Sequence, residues 1–194
     1  MDAPRAVVLV EGDSDRRALH TLAGRLGRDL AADGVEVVVL GGITNIRSFA
    51  LRYGPGGLGV PLAGLYDAPA ERIVRRGLAA AGVPVDGFFR CTEDLEDELI
   101  RALGVAAVED VIAAAGEARS LELLAGMPAQ RSWTRDAVLR RFMGSKSGRK
   151  DRYAELLVAA LPLDRVPAPL TGVLRCALDL SVNGSTDRAS WWTP

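Results

Sequence analysis

Apolar positions along this chain switch repeatedly between a continuous spacing and a helical one. Val7-Val8-Leu9-Val10 is a run of four apolar residues, three of them β-branched, and reads as a strand buried on both faces. Gly12 permits a tight exit. Beyond it Leu19, Leu22, Ala23, Leu26 and Leu30 recur at helical spacing, with Asp13 or Ser14 placed to cap the helix. Val35 to Leu40 reads as a second buried strand ended by Gly41-Gly42, and Thr44 or Asn45 is placed to cap a short helix carrying Ile46 and Phe49. Leu62 to Tyr66 is a third strand, followed by a helix with Ile73, Val74, Leu78 and Ala81 inward and Arg72, Arg75 and Arg76 outward. Gly87 to Cys91 is a fourth, leading into a helix with core positions Leu95, Leu99, Ile100 and Leu103. Strands alternating with helices at this spacing predict an α/β protein with a mostly parallel, Rossmann-like four-stranded sheet and right-handed connections.

The second half carries only helical signals. They fall at Val105 to Ala115, Leu121 to Leu124, Trp133 to Phe142, Tyr153 to Leu161 and Leu170 to Leu180, with Gly104, Gly116 and Gly126-Met127-Pro128 as punctuation. A basic, glycine-punctuated loop, Gly144 to Lys150, stands between two of them. The expected organisation is an α/β core at 5–116, a helical extension at 117–180 and a polar tail at 181–194.

Composition narrows the chemistry. With 48% hydrophobic and 25% charged residues the chain suits a globular protein with one well-buried core. No run approaches the roughly 18 apolar residues of a membrane span, and the amino terminus is unlike a signal peptide, so a cytoplasmic protein is expected. Two cysteines and one histidine, His20, leave little for a disulfide framework, a Cys-rich zinc site or histidine-based hydrolysis. The net charge of −1 argues against a protein that coats nucleic acid indiscriminately, while clustered arginines leave room for a local basic patch.

The acids fall where a parallel sheet gathers them. Glu11 follows the first strand, Asp15 lies in the next helical turn, and Asp67 closes the third strand. Glu93, Asp94 and Glu96 open a later helix, and Lys146 and Lys150 lie far downstream. Ligands of open α/β sheets bind at the carboxyl edge of the strands. Negative charge crowded there is costly unless a cation compensates it or some groups stay protonated. Two divalent ions about 3.5 to 4 Å apart would suit a phosphodiester, with a lysine neutralising charge on the phosphoryl oxygens. Ordinary roles stay open beside this one: Asp15 as a helix-start acid, members of the 93–98 run as solvated charges, and both lysines as loop residues.

The Val7 to Asp15 segment, with its Glu-Gly-x-Ser-Asp core, resembles the first motif of the TOPRIM domain of topoisomerases, primases and several nucleases. Gly41-Gly42-Ile43-Thr44-Asn45-Ile46, Gly64-Leu65-Tyr66-Asp67-Ala68 and Asp94-Leu95-Glu96-Asp97-Glu98-Leu99 narrow the resemblance to the TOPRIM part of the overcoming-lysogenization-defect (OLD) nucleases. Gly148-Arg149-Lys150 with Tyr153-Ala154 is similar to their late lysine segment, so the resemblance covers about residues 5 to 161. It implies a TOPRIM-like fold and Mg²⁺- or Mn²⁺-dependent cleavage of nucleic acid, with DNA preferred over RNA as the partner.

Carried over position by position, the resemblance implies metal ligands Glu11, Asp15, Asp67 and Glu96, with Asp94 a further candidate, and Lys150 or Lys146 as the catalytic lysine beside Glu11. The family's Asp-x-Asp pair falls on Asp67-Ala68-Pro69, where proline offers no ligand; Glu71, in the next helical turn, is the residue inferred to compensate. One metal site around Glu11 and Asp67 is therefore expected to survive better than a second. OLD proteins also carry an amino-terminal ATPase. No GxxxxGK[ST] loop occurs here, so a separate ATPase subunit is an expected partner. The alternative is a non-catalytic TOPRIM module that binds nucleic acid or such an ATPase through a degraded metal site. Strand passage or priming would need a tyrosine domain or template elements that do not appear. The sequence leaves oligomeric state open.

Overall fold

A computed structural model describes residues 3–182; the tail from 183 onward, with Trp191 and Trp192, lies outside the described residues. Strands β1 (Ala6–Val10), β2 (Val35–Val39), β3 (Leu62–Asp67) and β4 (Phe88–Cys91) form one sheet in the order β2-β1-β3-β4, with every pairing parallel. Helix α1 (Asp13–Arg25) links β1 to β2, α2 (Ile46–Tyr53) links β2 to β3, and α3 (Glu71–Ala80) links β3 to β4. Then follow α4 (Leu95–Leu103), α5 (Val105–Ala114), α6 (Ala118–Ala125), α7 (Arg135–Met143), α8 (Arg149–Ala160) and α9 (Ala168–Val182). No helix among the described residues is long and apolar enough to cross a membrane.

Side-chain alternation divides the core in two. Val7, Leu9, Tyr66 and Phe88 point to one face, where α2 and α3 cover them through Ile46, Ala50, Val74 and Leu78. Val8, Val10, Ala63, Leu65 and Cys91 point to the other, against α1 and the whole helical second half. Every residue of β1 is buried because the strand is central and covered on both sides. The expected core and extension therefore share one apolar cluster, and α9 lies directly against β1, β2, β3 and β4. Gly172 makes that approach feasible, since a Cβ there would overlap the Phe89 ring.

Several boundaries differ from the sequence expectation for local reasons. Gly12, not Asp13 or Ser14, is the N-cap of α1, in an extended conformation at φ −137° and ψ 177°. The Asp15 carboxylate accepts the Gly12 N–H at 3.0 Å, the bond that reaches back to the cap residue in a capping box. Leu30 is buried beyond the end of α1, in the turn whose carbonyl at Leu30 accepts Val35 N–H at 2.7 Å. Helix α8 begins at Arg149, so Lys150 is in a first helical turn and not in the loop. Helix α9 begins before Pro169, which its first turn tolerates, and runs past the expected start of the tail, with Ser181 buried.

Candidate functional site at the carboxyl edge of the sheet

From β1 the chain steps outward to β2, then crosses back over β1 to build β3 and β4 on the other side. The carboxyl ends of β1 and β3 thus flank the switch point where connections diverge to opposite faces and leave a crevice. Glu11 immediately follows β1 and is half-buried. Asp67 ends β3, in register with Cys91 of β4. Asp15 reaches the same region from the first turn of α1, and Asp94 and Glu96 reach it from the start of α4. Lys150 comes from α8, which packs on both α1 and α4.

These groups sense one another. Burial is the main cause that pushes Asp67 up to about 7; the Asp15, Asp94 and Glu11 carboxylates add to the shift and Lys150 opposes it. Burial also pushes Asp15 up to about 6, against the Gly12 N–H and Lys150, with Glu96 and Glu11 adding repulsion. Glu96, only 3% exposed, is raised above the usual carboxylate range chiefly by burial. Its Oε2 stands 2.8 Å from Lys150 Nζ, while Oε1 has no hydrogen-bond partner among the described residues. Burial works to lower Lys150, yet Glu96, Asp94 and Asp15 outweigh it and hold the ammonium charged.

Electrostatic proximity is not the same as a coordination shell. Among the described residues no three His, Cys, Asp or Glu side chains stand close enough together to hold a metal ion. The reason lies in where each carboxylate turns. Asp15 is engaged by the Gly12 N–H, and Glu96 by Lys150. Asp94 caps α4 by accepting the Asp97 N–H at 2.8 Å and pairs through its other oxygen with Arg140 at 2.7 Å. Glu71 is held by Arg75 at 2.8 Å and Arg90 at 2.9 Å, so the structure does not bring it to the other acids. Glu93 and Lys146 are exposed, and Glu98 is tied to the Thr92 N–H and to Arg101.

The donors fit a hard divalent cation in kind. They are carboxylate oxygens only, they are mutually repulsive, and one buried carboxylate oxygen lacks a partner. Two residues important to this edge escape sequence reading. Arg140 orients Asp94 from 46 positions away, and Arg149 sits buried beside Lys150, donating to Phe142 O and Ser145 Oγ, pairing with Glu117 at 3.2 Å and lying 3.9 Å over the Phe142 ring. Local spacing carries no trace of either contact. Although Arg149 belongs to the basic loop in sequence, its charge faces inward.

The raised acids make the metal-free protein less stable as pH rises. Asp15 binds its proton more tightly folded than unfolded, so stability falls between about pH 4, the unfolded value, and about pH 6, and the penalty is complete above that. Asp15→Asn keeps an oxygen for the Gly12 N–H and removes the charge. Urea denaturation in EDTA should find the variant more stable than the parent at pH 8 by on the order of 2 kcal/mol, with the difference vanishing near pH 4.

The central parallel sheet in the order 2-1-3-4, with an acid behind the first strand and another closing the third, agrees with the TOPRIM-like fold that the sequence resemblance implies. Residues 4–68 match the family described as overcoming lysogenization defect protein-like, TOPRIM domain. The chain carries a TOPRIM domain homologous to the C-terminal region of OLD-family proteins. One structure of that region from Xanthomonas campestris pv. campestris is similar at a TM-score of 0.72 and 25% identity, over 96% of this chain and 100% of that one. A second from the same organism gives 0.70 and 26%, over 95% and 99%. The corresponding region from Burkholderia pseudomallei, at 24% identity, shares the fold at a TM-score of 0.70 over 92% of this chain and 98% of that one. Comparison with curated proteins gives no match.

Proposed function

We propose that this chain hydrolyses phosphodiester bonds of nucleic acid, DNA in preference to RNA, with Mg²⁺ or Mn²⁺ held at the β1–β3 crevice. The observation that carries the reading is the convergence of Glu11, Asp15, Asp67, Asp94 and Glu96 around Lys150, which leaves buried carboxylates short of compensating charge. Glu11, Asp15 and Asp67 are the residues that would hold the ion, with Glu96 or Asp94 completing the set once freed from Lys150 or Arg140. A divalent ion there supplies Lewis acidity toward a phosphoryl oxygen and lowers the pKa of water. Lys150 offers a fixed positive charge to the phosphoryl oxygens, and Glu96 keeps that ammonium protonated and positioned. Arg140 pairs with Asp94 at 2.7 Å and fixes the direction of that carboxylate.

Pro69 and the pairing of Glu71 favour a second reading, a non-catalytic module that retains nucleic-acid or ATPase binding. Assays on labelled single-stranded DNA, duplex DNA and RNA separate the two. Slow cleavage is expected with Mg²⁺ or Mn²⁺ and none in EDTA. Binding without cleavage, even with a cognate ATPase supplied, would establish the second reading instead.

A further inference from the structure

On the opposite face of the sheet from the helical extension, α2 and α3 enclose a groove of about 250 Å³. Its floor is apolar, formed by Ile46 and Ile73, and Gly77 lets the two helices close together, since a Cβ there would lie 2.7 Å from Ile46 Cγ2. Three arginines line it: Arg47 from α2, and Arg72 and Arg76 one turn apart on α3. All three are exposed, and none has an ion pair or side-chain hydrogen bond among the described residues. No acid lines the groove. The neighbouring Arg75 and Arg90 are both paired with Glu71, so the three arginines of the groove stand apart from the paired ones beside them.

Position gives this charge a direction. Arg47 lies just past the carboxyl end of β2, and Arg72 just past Asp67 at the carboxyl end of β3. The groove therefore opens at the same edge as the acidic crevice and runs away from it along α3. Resting on the hydrolytic reading above, we infer that Arg47, Arg72 and Arg76 form a track for the phosphodiester backbone of the nucleic acid on one side of the scissile bond. Arginine stems lying along an apolar floor with guanidinium heads in solvent suit phosphate contacts that position a strand and do not read its bases. An acidic protein surface would meet the same charge, but the groove starts at the sheet edge that carries the acidic crevice, which favours the strand being cut.

The test compares the full chain with the Arg47→Gln/Arg72→Gln/Arg76→Gln variant. A control variant replaces the exposed Arg119, Arg131 and Arg141 by glutamine and loses the same charge elsewhere. Fluorescence anisotropy with a fluorescein-labelled DNA strand and its duplex, in Ca²⁺ to suppress cleavage, is read across a salt series. The groove variant should bind at least tenfold more weakly at low salt, with a log K against log salt slope shallower by about 2 to 3, while the control matches the parent. Arg72→Glu alone, checked by thermal melting, should weaken binding in the same direction and guards against misfolding of the triple variant. Unchanged affinity and slope in the groove variant, or an equal loss in the control, would overturn the track and leave the hydrolytic reading intact. Failure of the parent to bind any oligonucleotide would remove both. Loss of polyglutamate binding with oligonucleotide binding retained would assign the groove to a protein partner and overturn the inference.

Discussion

Glu11→Gln abolishes metal-dependent cleavage while leaving the fold in place: this is the expected outcome of assaying the variant beside its parent. Glutamine preserves size and hydrogen-bonding shape, but removes the negative charge at the end of β1, the position on which the switch point of the sheet converges. The carboxylate is one of few oxygens able to hold a hard cation there, and Pro69 supplies no substitute. Loss of a ligand should reduce the rate by at least about 100-fold, since both ion affinity and ion position depend on it. Stability should move the other way or not at all, because Glu11 pushes Asp15 and Asp67 up and its neutralisation relieves them. Initial rates on labelled DNA in Mg²⁺ and Mn²⁺, together with urea denaturation in EDTA, measure both. Equal cleavage by variant and parent would move the chemistry away from this crevice.

Arg149→Met, in contrast, should act on the fold. The side chain is 5% exposed, accepted by Phe142 O at 3.1 Å and Ser145 Oγ at 2.6 Å, and ion-paired with Glu117. It also stacks on Phe142, which packs edge-on against Tyr153. Methionine fills much of the volume but leaves Phe142 O and part of the Glu117 carboxylate without their donors. Breaking a buried pair by removing one partner costs about 3 to 5 kcal/mol, and the partial exposure of Glu117 puts this case near the lower figure. The adjacent Lys150→Met should cost little stability, because Lys150 is half-exposed and its loss leaves Glu96 free to take up a proton. Denaturant midpoints of the two variants should therefore separate clearly. Similar midpoints would mean that Arg149 does not anchor the start of α8 to Phe142 and Glu117.

The sheet was legible because its strands are short apolar runs separated by helices of clear period, and the four strands fall where that pattern put them. Parallel pairing followed from connection length, and with it the meeting of Glu11 and Asp67 at one edge. What escaped was long-range. Arg140 with Asp94, Arg149 with Glu117 and Lys150 with Glu96 link residues tens of positions apart, and nothing local distinguishes a guanidinium that turns inward from one that turns outward. The role of α9 escaped for a related reason. Its apolar spacing fits any amphipathic helix, and only the folded structure, with α9 against all four strands and Gly172 against Phe89, reveals that it lies on the sheet. The cap of α1 was misjudged because the cap residue is Gly12, which has no side chain, and Asp15 ties the Gly12 N–H from inside the helix.

The placement of α9 also imposes an order of events on the growing chain. Strands β1 to β4 emerge from the ribosome long before residues 168–182, yet Ala63, Leu65 and Phe89 turn toward the face that this helix covers. Until it is synthesised, part of the sheet presents a bare apolar surface, open to aggregation or to capture by a chaperone. Contacts between β1 and α9 close a loop of more than a hundred residues, and such long-range contacts raise contact order and slow completion of the fold. Assembly of the acidic crevice waits on the same late half of the chain, because Lys150 and Arg140 arrive only after every acid they restrain.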